Sequence, residues 1–383
     1  MVKKVFLGIF SLWYNKNILI LFYMEENLNT IAYIKYIQHE IQDKEFDDYV
    51  HVFYEYKNYL ESCIKKNPKD IEAICQLAAV YLELRYDEDT SINLIEDTLT
   101  NFADEINVID KSRIYINLAF LYESNDEEKN CLYYLEEAIK LNPNMANAYN
   151  ELGRIRMESN IIEDNLYLFE KAYSLSSKMK YQYNYSVALF QHGYILKAKA
   201  LFEKLLPKYE NERQVLYGYG VCCFYAGNKR KAIEIANKLA QEKNDDYIAE
   251  SEIAALYFLC GEYSKHNEMY DNSEFEYYLD VKWLAPYFYC LKVQGKMKEL
   301  QVKLTEVTTE KNNKIIETEA KELDDEFTEI EKSESTQEYQ KEKNEIITTF
   351  EKIINENYKP EVRIKLWLMN GCYMIDCPRH QSL

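Results

Sequence analysis

Gly193, Gly227, Gly261 and Gly295 follow one another at a spacing of 34 residues. A fixed period of roughly 20–50 residues marks a chain built from stacked copies of one small unit, and this period suits a two-helix unit. Each such unit packs only on its neighbours, so the length of 383 residues does not convert into a number of globular domains. Only nine glycines and six prolines serve the whole chain. That is too few for the many turns of an all-β protein and suits long helices.

The side chains between the glycines repeat as well. Residues 24–66 read as a helical pair, with Ile31, Ile34, Ile37 and Ile41 on one stripe and Phe46, Val50, Phe53, Tyr56 and Leu60 on the other. From Lys111 onward, Tyr115, Leu118, Ala119 and Tyr122 lie on a first helix, and Cys131, Leu135, Ala138 and Pro143 mark a second. Tyr149, Leu152, Gly153, Phe169 and Ala172 repeat that arrangement. Tyr185-Ser186, Tyr219-Gly220 and Ile253-Ala254 continue its large–small pair, while Ala198, Phe202 and Leu205, then Ala232, Ala236 and Leu239, fill the second helices. A small residue is needed where two helices cross most closely, and large residues one turn away fill the groove beside the crossing. Gly227, Gly261 and Gly295 fall just after a first helix, where a positive φ is common and glycine adopts it without strain.

These units resemble tetratricopeptide repeats, whose pattern is a large residue, Leu-Gly or Leu-Ala, Tyr, then Gly, Ala, Phe, Ala and Pro at set offsets. The resemblance covers most of residues 67–307 and returns at Ile346, Phe350, Ile353 and Pro360. It implies an all-α fold, an α-solenoid in which helix-turn-helix repeats wind into a right-handed superhelix. The pattern departs at Arg156, where Tyr is usual, and at His266 and Phe288, where small residues are usual. Pro286 falls inside a first helix, so the units near 262–295 are expected to be irregular. Residues 308–342 form an acidic insert in which Ile316, Leu323, Phe327 and Ile330 keep a helical spacing. A long charged helix and partial disorder both fit it, and it could serve as an arm that docks on a partner. Residues 343–383 are read as terminal repeat-like helices and a tail.

The net charge of −19 and pI near 4.9 repel phosphate backbones, which argues against nucleic acid as a direct partner. Nine cysteines without a spacing framework read as reduced thiols in a cytoplasmic protein. Met1 to Tyr23 is apolar behind Lys3 and Lys4, but Asn15, Lys16 and Asn17 cut it into pieces too short to span a bilayer. Trp13-Tyr14-Asn15 and Glu25-Glu26 can be encoded by strings that read as a promoter element and a ribosome-binding site. Translation starting at Met24 is therefore the leading expectation, with a signal or anchor and a true extension as the alternatives. No membrane partner is expected unless residues 1–23 are genuine.

No phosphate-binding glycine loop, nucleophile elbow or H-E-x-x-H motif occurs. His39, His51, His192, His266 and His380 are scattered, so no enzyme activity and no cofactor are expected. Cys372, Cys377 and His380 supply three zinc-type ligands where a structural site wants four. A capping helix over about Pro360–Ile375 is the expected structure there, and a hairpin turning at Asn370-Gly371 competes with it. In proteins of the resembled family the first helix of each unit lines a concave face that grips peptides or helices. By register that row takes in Asn147, Asn150 and Arg154, then Tyr183 and Phe190, Tyr217 and Phe224, Phe258 and Tyr289. The reading is a polar patch leading into an aromatic wall, unless tight winding buries the rings as core. The resemblance implies a non-enzymatic scaffold that binds a protein or peptide through this face. A peptide sensor or regulator, or an immunity-type partner neutralising a basic toxin, is the alternative.

Overall fold

The computed structural model describes residues 27–41, 46–159, 165–241, 250–272, 280–323 and 328–380. The segment 1–23 and Phe327 lie outside them. All regular secondary structure among the described residues is α-helical, and no helix there is long and apolar enough to cross a membrane. The chain divides into two compact units. The first comprises the chain up to Tyr181 together with residues from Met369 onward, and the second runs from Gln182 to Leu368.

In the first unit four helix pairs follow one another: Asn27–Glu40 with Phe46–Lys66, Ile71–Glu83 with Glu88–Phe102, Val108–Ser124 with Glu128–Leu141, and Ala146–Glu158 with Asn165–Leu175. Each helix packs chiefly on its sequence neighbours, as a period shorter than a domain requires. Asp70, Asp87 and Asn107 cap helix starts by accepting the amides of Ala73, Thr90 and Asp110, satisfying N–H groups that have no partner inside the helix. The crossings need the small residues the sequence supplies. Ala119 is fully buried, and a Cβ on Gly153 would stand 3.1 Å from the Phe169 ring.

The second unit continues with Ile195–Leu205, Arg213–Tyr225 paired with Lys229–Gln241, Glu250–Cys260 with Tyr263–Asn272, and Val281–Val293 with Met297–Ala320. Glu329–Asn355 packs on both helices of that last pair. The helix Met179–Gln191 contains the division between units. The four periodic glycines all sit at positive φ, from 73° to 83°. At Gly227 the amide bonds the Phe224 carbonyl and the next amide, of Asn228, reaches Cys223; the same two bonds close the turns at Gly193, Gly261 and Gly295. This is the left-handed helix stop that glycine favours. In the first unit Arg85 (φ 58°) and Asp126 (φ 57°) take the same place with the same bonds.

His266 is buried, and its Nδ1 lies 2.9 Å from the Ala254 carbonyl, placing a ring N–H in that bond. The helix Val281–Val293 runs through Pro286. Arg156 pairs with Glu136 at 2.7 Å. The acidic stretch after 308 is helical through Ala320 and again from Glu329. Lys311 is buried there and pairs with Glu342 at 2.6 Å, whereas Ile316, Leu323 and Ile330 are exposed. All nine cysteines are free thiols, and seven are buried. Burial holds Cys75 and Cys131 at about 12, so they behave as small apolar side chains.

The C-terminal expectation is corrected. Residues 357–380 form neither the capping helix over 360–375 nor a hairpin at Asn370-Gly371; the segment is extended, with turns only near 375–380. Asn357 (φ 55°) ends the preceding helix. From Glu361 to Leu368 exposed and inward residues alternate strictly, with Val362, Ile364, Leu366 and Leu368 turned in. That is the period of two of an extended chain, and a helix would have scattered those side chains around its axis.

Candidate peptide-binding face

Among the described residues six first helices end at a left-handed residue, Arg85, Asp126, Gly193, Gly227, Gly261 or Gly295, which gives a common reference for comparing them. On the helix Val108–Ser124, Arg113, Asn117, Phe120 and Glu123 lie 13, 9, 6 and 3 residues before Asp126. Steps of three or four residues put them on one face of the helix. All four contact the chain's own C-terminal segment. Asn117 is fully buried. Its Nδ2 donates to the Ile375 carbonyl at 3.0 Å, and its Oδ1 accepts the Ile375 amide at 2.6 Å. One side chain thus takes both backbone groups of one residue, a contact that does not depend on which residue stands there.

Side chains on either side of that clamp are read individually. Arg113 pairs with Asp376 and, at 2.9 Å, with Asp110. Burial raises the Asp376 carboxyl and Arg113 opposes the shift. The Tyr373 ring stands edge-on to Phe120, with centroids 5.1 Å apart, and its hydroxyl donates to Glu123 at 2.8 Å. Burial, then Cys131 and Glu123, drives the Tyr373 hydroxyl far upward, so it stays a donor. Arg379 pairs with Glu83 at 2.8 Å. Tyr373, Met374 and Cys377 are buried members of the unit's apolar core.

The second unit engages the stretch 357–368 with its own side chains, of which Phe258 and Lys292 stand at the offset of Glu123 and Tyr289 at that of Phe120. Gln191 donates to the Leu366 carbonyl at 3.0 Å. Phe258, Tyr263 and Tyr289 form a three-ring cluster with centroids 5.7 to 5.8 Å apart. The Lys359 ammonium lies 5.4 to 6.0 Å from each ring centre, within range of cation–π attraction. Lys292 reaches the Ile353 carbonyl and, at 2.9 Å, Asn357.

The residues expected at a binding row fall into two sets. Asn147, Arg154 and Tyr289, with Phe190, Phe224 and Phe258, sit at offsets equivalent to Arg113, Phe120 and Glu123. Asn147, Phe190, Phe224 and Tyr289 are half-buried, and Phe258 is buried. Asn150, Tyr183 and Tyr217 occupy another column, one residue before the Asn117 place, and all three are buried. Burial raises the Tyr183 and Tyr217 hydroxyls well above their usual range, and these rings are core in the chain as it stands. Arg154 is also buried, held by Glu151 at 2.8 Å, Glu158 at 2.8 Å and Glu123. Glu151 is itself fully buried and bonds Lys180 at 2.7 Å and Asn150 at 2.8 Å. Arg154 therefore touches Glu123, which in turn holds Tyr373. Arg113, Asn117, Phe120 and Glu123 were missed, although stepping one period back from Asn147 and Arg154 lands on Arg113 and Phe120.

No protein-family model and no curated protein matches this chain. Among solved structures it is similar to YrrB, a TPR protein with an unusual peptide-binding site, at 15% identity over 54% of this chain and 97% of that one, TM-score 0.41. It is similar to a tetratricopeptide repeat protein from Parabacteroides merdae at 16% identity over 64% and 99%, TM-score 0.44. It is also similar to the APC/C hetero-tetramer Cut9–Hcn1 at 12% identity over 77% of this chain and 52% of that one, TM-score 0.46. The chain's own 34-residue period, the left-handed turns at Gly193, Gly227, Gly261 and Gly295 and the small residues at its crossings are those of an all-α repeat of helix pairs.

Proposed function

We propose that this chain is a non-enzymatic scaffold that binds a protein or peptide as an extended segment along its first-helix face, the concave side of the superhelix. The observation that carries this reading is the Asn117 clamp on both backbone groups of Ile375. Around it, Arg113 reads an acidic side chain, and Phe120 with Glu123 reads a tyrosine two residues before the clamped position. The partner this chemistry suits is a segment carrying tyrosine, any residue, an aliphatic residue and, at a turn, aspartate. The chain's own segment 373–376 has that order and behaves as a tethered ligand. A tethered ligand acts at an effective concentration on the order of millimolar, so a partner must outcompete it. A face already filled by the chain's own segment, which a partner would have to displace, also favours the reading of a peptide sensor.

The test uses the full chain and a labelled peptide with the sequence of residues 369–380, its two cysteines replaced by serine. A variant with Tyr373→Ala and Asp376→Lys, checked as folded by circular dichroism, frees the face. The peptide is expected to bind this variant at least about tenfold more tightly than the wild-type chain, and adding Asn117→Ala is expected to abolish the gain. A folded variant that ignores the peptide contradicts the reading.

A further inference from the structure

Among the described residues, Cys372, Cys377 and His380 are the one group of three or more His, Cys, Asp or Glu side chains whose donor atoms converge, all within 4.8 Å of one another. We propose that they form a site for a single zinc-type divalent ion, bound by two thiolates and one imidazole. Such an ion holds sulfur at about 2.3 Å and nitrogen at about 2.0–2.1 Å in a tetrahedron. Those lengths place two ligand atoms roughly 3.4–3.8 Å apart. Cys377 Sγ and His380 Nδ1 already stand 3.4 Å apart.

The backbone explains why donors so close in sequence meet. Asp376 takes φ 65°, which folds the chain back so that Cys377 turns toward Cys372. The His380 amide then bonds the Cys377 carbonyl at 3.2 Å and closes the turn. Contacts on both sides hold the loop: Asn117 on Ile375, Arg113 on Asp376, Gln38 on the Pro378 carbonyl at 3.5 Å and Arg379 on Glu83. A loop held this way loses little freedom when an ion enters. Cys377 is buried, Cys372 half-buried and His380 exposed, so the ion approaches from the His380 side. The fourth coordination position is left for water. Binding displaces the two thiol protons and leaves two thiolates on the ion, with no redox step.

The site rests on the self-filled face, because an outside peptide that displaces residues 373–376 would release the Asn117 and Arg113 contacts that hold the loop, so the metal titration is run without peptide. Untagged full-length protein, reduced and stripped with chelator, is titrated with Co(II) and followed by absorption. One equivalent is expected to give thiolate-to-cobalt charge-transfer bands in the near ultraviolet and intense visible bands of tetrahedral cobalt, and one equivalent of Zn(II) is expected to bleach both. Cys372→Ser and Cys377→Ser should each remove the charge-transfer bands, and His380→Ala should weaken binding by more than about tenfold. His380 is exposed, so its variant keeps the test open if a cysteine variant fails to fold. No stoichiometric cobalt spectrum in the wild type overturns the proposal. A spectrum unchanged in the folded Cys372→Ser, Cys377→Ser double variant overturns it too.

Discussion

Replacing Asn117 with alanine removes both bonds to the Ile375 backbone without adding bulk. The bonds are 3.0 and 2.6 Å long, and a typical intramolecular hydrogen bond contributes about 0.5–1.5 kcal/mol net. Ile375 is half-buried, so its freed amide and carbonyl reach water on a small opening and the full penalty of a buried orphan does not apply. The expected loss is about 2 kcal/mol in the local opening of the segment. Since 1.4 kcal/mol is a tenfold change, the Ile375 amide should exchange with deuterium roughly 30-fold faster in Asn117→Ala than in the wild type. Global unfolding should shift less, because Tyr373 and Met374 stay in the apolar core and segments can open without the whole fold. Amide exchange read by mass spectrometry on the peptide spanning 369–380 measures it, with Asn147→Ala, one period along from Arg113, as the control in which exchange stays unchanged. A rate within about twofold of wild type in Asn117→Ala would refute the clamp as the holding element.

Four further outcomes follow from burial, packing and backbone conformation. Arg154→Met should destabilise the chain by about 3–5 kcal/mol in urea titration, because it takes one of two cations from the fully buried Glu151 and leaves Lys180; a loss under about 1 kcal/mol would mean that Lys180 alone suffices. Gly218→Ala should destabilise by about 1–3 kcal/mol, since its Cβ would stand 2.5 Å from the buried Phe202 ring. Gly227→Ala has open space but φ 83°, and should lose about 1–2 kcal/mol through backbone strain alone; equal melting of either glycine variant and wild type would undo the register. Burial lowers the His266 pKa below its usual value, so the unfolded chain binds the proton first as pH falls. The contribution is therefore complete above about pH 6.5 and declines below it, with a slope of at most about 1.4 kcal/mol per pH unit, until the folded-state pKa is passed. His266→Asn should flatten that part of the stability–pH curve, and an unchanged slope would show that another group sets it.

The helix pairs were readable because the repeat imposes one requirement many times. Gly153 and Gly220 fill crossings where a Cβ would meet Phe169 or Ile235, and Gly193, Gly227, Gly261 and Gly295 mark turns at positive φ. The equivalent turns at Arg85 and Asp126 were not visible, because their conformation is imposed by the packed pairs around them and not advertised by residue type. Of the proposed row, the helical face was legible and the burial was not. Helical register selects a face, but burial separates Tyr183 and Tyr217 from Phe190 and Phe224, and burial depends on neighbouring helices that register alone does not supply. The C-terminal segment was misread because helical repeats precede it. Its own alternation from Glu361 to Leu368 carried the extended conformation all along. That Asn117 would meet Ile375, 258 residues away, is a tertiary fact with no local trace.

The most direct measurement is amide exchange of the full-length chain, with and without saturating peptide of the 369–380 sequence, its isotopic label separating it from the chain's own segment. If the first-helix face is the binding site, protection of the chain's own residues 373–376 falls as the added peptide becomes protected, and both changes vanish with Asn117→Ala. Added peptide that becomes protected while the chain's own segment keeps its protection would place binding elsewhere and contradict the account.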